Sequence, residues 1–443
     1  MTLPESDVTI GALDLTTALT GSLSQMQFNT TASAKGLRVS ANGTAKNPTT
    51  NLALEGLNVA VKHPNMVKAI QIVNPSFSMG EYWQKGLDIQ TGLSMADKTI
   101  TLTNLRGSAG PIPLESANLT ISTGGNIPAV KGDIALGALS LPGTSSGTAN
   151  KASSSGGQAT SSSQESGQWS GQTIDSKWMR SVMLDLDVKA KSGAQNRWEL
   201  TAPSINMALS NGVLDIPSLS AGLFGGNVAM DGKIVANDNG QGFKSVSWNS
   251  KANSINAMQL YSAMVNKSED LISGTISSAS ESLTTNGASM KALMSNLNGN
   301  AKLSGSAIGV KGIDIAGLAG ALSEDIKIGD TVTGVLSSSI YKGGTSFETL
   351  EGNFDIASGI VRLNPVYLDG AKARFDLSGI VNLPAWTLDV TNKVTVKNSD
   401  VPPFDMSFKG SLSNPKRLGG DVLEDYVQRK IERKLGKIIQ DQG

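Results

Sequence analysis

The chain has no cysteine and a single histidine, and these two absences exclude much chemistry. Without a thiol there is no disulfide framework, no thiolate metal site and no cysteine nucleophile, and the lack is compatible with an oxidising compartment. One imidazole excludes a multi-histidine metal centre and leaves His63 as the single candidate imidazole base. His63 precedes Pro64 where a strand gives way to a helix, a position proline favours, so it reads as a junction residue rather than a catalytic one. An excess of one charge is missing too. The 37 Lys and Arg balance 37 Asp and Glu, which leaves no basic footprint for nucleic acid and no acidic block for a cationic partner. No run approaches the roughly 18 apolar residues of a membrane span. The opening MTLPESDVTIGALDL has neither the basic nor the apolar region of a signal peptide. Because Met1 opens directly onto strand-like sequence, an N-terminal portion is expected to be absent from this chain.

Catalytic patterns are equally scarce. GTSSG (Gly143 to Gly147) matches a nucleophile elbow, but it lies in serine-rich low complexity without a strand before it, a helix after it or a histidine downstream. There is no phosphate loop and no dinucleotide fingerprint. The carboxylates are spread along strand faces and offer no recognisable acid-base pair. No catalytic residue, metal or cofactor is expected, and the chain reads as a non-enzyme.

What is present is alternation. GNFDIASGIVRL sets Phe354 and Ile356 against Asp355 and Ala357, turns at Ser358-Gly359, and returns through Val361 and Leu363. AKARFDL opposes Ala371, Ala373, Phe375 and Leu377 to Lys372, Arg374 and Asp376. TLDVTNKVTVKN does the same with Leu388, Val390, Val394 and Val396, and FDMSFKGSL with Phe404, Met406, Phe408 and Leu412. Period two with one wet face predicts antiparallel, half-buried strands, about twenty of them at ordinary strand lengths. Short helices are expected in HPNMVKAIQIV, TIDSKWMRSVM, NAMQLYSAMV, GASMKALMSNL and IDIAGLAGAL. Internal similarity links Met95–Gly110, Leu209–Gly226 and Ile356–Gly370 at an irregular period, so the copies are modules rather than solenoid coils. Residues 142–171 carry almost no apolar anchor except Trp169 and read as a flexible linker or loop. Residues 419–443 read as an amphipathic helix with Asp421 as N-cap and Leu423, Val427, Ile431, Leu435 and Ile438 on one arc. That helix either caps the last sheet edge or presents Arg429, Lys430, Arg433 and Lys437 to a membrane surface or an envelope partner.

With these segments in hand, the chain resembles the C-terminal region of the AsmA family of Gram-negative envelope proteins. The carrying segments occur in the family's order: LALEGLNVAVKHPNM, TLTNLRGSAG, IDSKWMRSVMLDLDVKAKS, NGVLDIPSLSAGLFGG, TTNGASMKALMSNLNGNAKL, GVKGIDIAGL, TSFETLEGNFDIASGIVRL and DLSGIVNLPAWTLDV. The resemblance implies a mainly β fold: an elongated, curved antiparallel sheet forming a groove, with a few short helices and a C-terminal amphipathic helix. Residues 1–141 and 172–418 would be groove segments on either side of the linker. It also implies a periplasmic protein held in the inner membrane by a segment this chain lacks, which supports outer-membrane biogenesis by passing phospholipid along the groove. Acyl chains need only a continuous apolar wall, because they slide and make no directional bonds. The groove candidates are Phe354, Ile356, Val361 and Leu363, then Ala373, Phe375 and Leu377, then Leu388 and Val390, and finally Phe404, Met406 and Phe408. The competing reading is an envelope scaffold or passenger-like protein in which these side chains are the core of a packed sandwich.

Overall fold

The structure, a computed structural model, describes residues 12–22, 24–47, 52–72, 74–142, 169–264, 268, 270–323, 343–418 and 424–433. Among them the protein is mainly β, and its contacts divide it into two units. The first comprises residues 1–144 and 176–221, the second 145–175 and 222–443. The division does not fall at the Ser/Gly-rich segment, because residues 176–221 belong with the N-terminal strands.

In the first unit the strands are β1 (Asp14–Gly21), β2 (Gln25–Ala34), β3 (Leu37–Lys46) and β4 (Ala53–His63). Helix α1 (Met66–Gln71) leads into β5 (Leu87–Ala96), β6 (Thr99–Ala109), β7 (Ile112–Ser122), β8 (Ala129–Ser140), β9 (Met183–Gln195), β10 (Trp198–Ser210) and β11 (Val213–Leu223). Strands β1 to β8 pair in chain order as an antiparallel meander. The expectation of an antiparallel sheet fails at one place: β8 and β9 run parallel, in register from Ala129↔Met183 to Ser140↔Ala194. A parallel pair needs a long crossover, and residues 141–182 provide one. β9 then closes an antiparallel hairpin with β10.

Beneath α1 lies His63, buried at 5% exposure. Its Nδ1 accepts the N–H of Asn65 at 2.9 Å, so Nε2 carries the proton and donates to the Lys35 carbonyl at 3.1 Å. The imidazole ties the β2–β3 turn to the helix start, as a junction residue does.

The second unit continues with β12 (Gly226–Ala236), β13 (Phe243–Asn256), α2 (Ala257–Met264), β14 (Ile272–Gly287), α3 (Met290–Ser295), β15 (Asn298–Lys311) and α4 (Ile315–Ser323). Then follow β16 (Gly344–Ala357), β17 (Ile360–Asp369), β18 (Ala373–Asn382), β19 (Thr387–Val396), β20 (Phe404–Ser411) and β21 (Lys416–Leu418). Each pairs antiparallel with the next. Four of the five expected short helices are α1 to α4. The fifth, in TIDSKWMRSVM, is only a 3₁₀ turn at Lys177–Arg180. The backbone just before it is already committed to bridges from Thr173 to Ser289 and Asp175 to Gln241, and β9 begins at Met183, which leaves no room for an α-helix. The expected linker lies outside the described residues except at its ends. At one of these, the Trp169 indole N–H donates to the Leu383 carbonyl at 2.7 Å and the ring packs edge-on against Trp386.

The three similar segments share a turn. Asp97-Lys98, Asn211-Gly212 and Ser358-Gly359 all hold both residues at φ between +50° and +80°. This is the signature of the two-residue type I′ turn, whose twist matches that of paired strands. At Gly359 the requirement is also steric, because a Cβ there would lie 2.2 Å from the Met294 carbonyl oxygen.

Helices cover one rim of the second unit. Ile315 and Leu318 of α4, and Val427 and Ile431 of a C-terminal helix described over residues 424–433, are buried with Phe347, Phe375, Val394, Val396 and Phe404. The rings of Phe347 and Phe375 meet at 4.7 Å between centroids. Helix α4 is pinned by the Thr345 hydroxyl, which accepts the Ile315 N–H and donates to the Ile313 carbonyl. The Asp314 carboxylate caps its first turn through the Gly317 N–H. Val427 and Ile431 of the C-terminal helix thus pack on the apolar face of these strands, while Asp421, Leu423, Leu435 and Ile438 of the expected helix lie outside the described residues.

Candidate functional site

In the first unit the strand register lines up apolar side chains in rows perpendicular to the strands. One row runs Leu57, Leu93, Leu102, Leu119, Leu186 and Met207 across β4 to β10, with a gap at Gly132 on β8. A parallel row runs Leu54, Met95, Ile100, Ile121, Val130, Leu184 and Leu209 across the same strands. Six strand spacings make each row roughly 29 Å long. Most of these side chains are only half-buried, although Leu57, Leu186 and Leu209 are fully so. Helix α1 buries Met66, Val67 and Ala69 at one end.

The opposite face is wet. It carries cross-strand ion pairs from Lys46 to Glu55 at 2.6 Å, Lys62 to Asp88 at 2.9 Å, Lys131 to Asp185 at 2.8 Å and Lys191 to Glu115 at 2.5 Å. Exposed pairs of this kind are worth about 0–1 kcal/mol each. They set which face meets water more than they set stability. In the second unit an open depression of about 350 Å³ also lies on the polar face, lined by Lys251, Asn253, Ser277, Lys302, Ser304, Glu351 and Asn353.

All twelve candidates read from the sequence fall on one face of the second unit. The register joins Phe354 to Leu363, Ile356 to Val361, Leu388 to Val381 and Val390 to Phe408. Through Val394 it joins Phe375 to Phe404, and through Asn392 it joins Leu377 to Met406. Their surroundings differ, and the candidate list has to be corrected accordingly. Ala373, Phe375, Phe404 and Met406 are buried in the core beneath α4 and the C-terminal helix, so they are not open groove wall. Phe354, Leu363, Leu377 and Phe408 are partly buried against that core. Val390 is buried outside it, and Ile356, Val361 and Leu388 remain half-buried with no part in it.

Sequence reading missed the two rows of the first unit, although LALEGLNVAV, TITLTNL and NLTIS carry the same alternation. It also passed over Asn392, which occupies an apolar slot between Val390 and Val394.

One titrating group bears on the cap. Burial first, and the neighbouring Asp400 carboxylate second, push the Tyr426 phenol up from 10 to about 12. A raised acid is stabilising while it stays protonated, below the unfolded value, and that contribution is lost as pH rises through the folded one. The C-terminal helix is therefore expected to loosen between about pH 10 and 12, and Tyr426→Phe to remove that step. Circular dichroism against pH checks both, and a transition unchanged in Tyr426→Phe contradicts the assignment.

Among the described residues, no cluster of His, Asp or Glu is placed to hold a metal ion, and no helix is long and apolar enough to cross a membrane. Compared with known proteins, the chain matches the model of the AsmA family over residues 9–366. The chain belongs to the AsmA family. No curated protein and no solved structure matches it significantly. AsmA proteins are envelope proteins associated with outer-membrane assembly, and the matched range takes in both rows of the first unit and the strands up to the middle of β17.

Proposed function

We propose that this AsmA-family chain conducts phospholipid along the apolar face of its sheet, in the periplasm, in support of outer-membrane assembly. The observation that supports the reading most is the pair of apolar rows in the first unit, in register across β4 to β10 and mostly half-buried. A wall of leucine, isoleucine and valine gains about 0.8 kcal/mol for each methylene it takes from water, and gives up little as a chain slides from one strand to the next. The ion-paired opposite face keeps the sheet wetted on its other side. Membrane attachment belongs, on this reading, to a segment outside the chain. At the helix-covered rim of the second unit the burial of Phe347, Val394 and Val427 favours a static role, so transport is assigned to the open stretches only.

Gentle extraction of the wild-type chain followed by mass spectrometry of bound lipid tests this. Phospholipid is expected to co-purify, and Leu102→Asp is expected to stay folded while losing most of it. A wild-type protein that extracts free of lipid overturns the proposal and returns the scaffold reading to first place.

A further inference from the structure

Strand β1 (Asp14–Gly21) pairs with β2 on one side, and its other edge has no partner strand among the described residues. All eight of its residues are exposed, Leu15 at 59% and Leu19 at 57%, with Leu13 just before it at 54%. The apolar face does not stop short of this edge. Leu15 continues a row through Ala32, Val39, Val61 and Ile89, and Leu19 lies beside Phe28. Sheets ordinarily protect such an edge with lysine, proline, a bulge or a very short strand. Strand β21 carries that protection: it is three residues long, follows Pro415 and bears Lys416 and Arg417. β1 has none of it. Its register with β2 runs without a bulge from Asp14 to Gly21, and Asp14 is its one charged side chain. An open ladder flanked by exposed leucines is suited to take a further strand.

We infer that this edge joins a second copy of the chain, β1 against β1, antiparallel about a two-fold axis at Thr17. The strand is self-complementary in that register. An axis normal to the sheet keeps every side chain on its own face, so Leu15 of each copy meets Leu19 of the other on the apolar face, and Thr17 meets Thr17. On the polar face Asp14 meets Thr20, and no like charges oppose each other. Moving the axis to Thr16 or Ala18 would instead set Leu15 opposite threonine or glycine, which favours Thr17 as the centre. Such an isologous contact closes at two copies. It makes one sheet whose apolar face runs unbroken through the junction. The inference concerns assembly, and it holds with or without lipid on that face.

Sedimentation of the full 443-residue chain tests it, over about 1–200 µM because one strand edge is a small interface. A monomer–dimer equilibrium is expected. Leu15→Lys combined with Leu19→Lys sets lysine against lysine on both sides of the axis and should weaken the dimer by about tenfold or more. Leu15→Lys combined with Leu19→Glu removes the same two leucines but sets lysine against glutamate, and should recover most of the association at low salt. Both side chains are exposed, so neither variant should lower the melting temperature. The chain has no cysteine, so Thr17→Cys adds one thiol per copy at the axis, where paired Cα atoms lie about 4.5–5.5 Å apart, within disulfide reach. It should crosslink under mild oxidation much faster than Thr20→Cys, whose two copies would sit at opposite ends of the junction. A monomer at every concentration, a dimer indifferent to the lysine pair, or faster crosslinking through Thr20→Cys overturns the inference.

Discussion

Phe375→Asp is expected to unfold the helix-covered end of the second unit, whereas Val361→Asp, at the far end of the neighbouring strand β17 on the same face, is expected to leave the fold intact. Phe375 is 4% exposed and stacks on Phe347 in the core closed by α4 and the C-terminal helix. Removing such a ring costs about 3–5 kcal/mol by truncation alone. Burying a carboxylate in its place adds several more, against a total stability of about 5–15 kcal/mol for a typical domain. Val361 is half-buried and outside that cluster. An aspartate there can keep its hydration and should cost on the order of 1 kcal/mol. Thermal melts followed by circular dichroism separate the two. If both variants melt alike, the division of this face into closed core and open wall is wrong.

The second large effect is expected at Gly107 on β6. Its φ is +124°, a region closed to residues with a side chain, and a Cβ built there would lie 1.9 Å from the Asp88 carbonyl oxygen on β5. Backbone strain and the clash act together, because the strand cannot move without parting from the ladder. Gly107→Val should therefore destabilise the first unit by about 2–4 kcal/mol. Gly80, with nothing within 4 Å of a built Cβ, serves as the control, and Gly80→Ala should change stability by less than about 0.5 kcal/mol. A Gly107→Val protein that melts with the wild type would mean that β5 and β6 approach less closely than described.

Much of the architecture was legible in the sequence because period-two alternation and turn chemistry are local. The Ser358-Gly359 reversal, the four helices and the capping arc through Val427 and Ile431 all follow from residues close together in the chain. Closure of the face was not legible. Phe375 and Val361 obey the same alternation, and only the distant arrival of Ile315, Leu318 and Val427 makes one of them core. The parallel pairing of β8 with β9 was hidden for a similar reason, since periodicity reports which face a strand buries and not the direction of its neighbour. Asn392 was in plain view as an interruption of the Leu388, Val390, Val394 and Val396 series. Only the register shows its surroundings, opposite Leu377 and Met406.

The parallel junction also fixes an order of assembly. Every antiparallel pair from β1 to β8 joins neighbours in the chain, and all but β4 with β5, which are separated by residues 64–86, can zip at small loop-closure cost as soon as the second strand is available. Joining β9 to β8 instead requires closing the chain over residues 141–182. Closure entropy grows as the logarithm of loop length, which makes that step roughly 3 kcal/mol more costly than closing a two-residue turn. The hairpin of β9 and β10 therefore forms first as a free-standing piece and docks afterwards onto a finished meander. The longest closure in building the first unit is then the encounter of that hairpin with the meander, and its rate should depend on the length of the serine-rich segment while the rates of the hairpins do not.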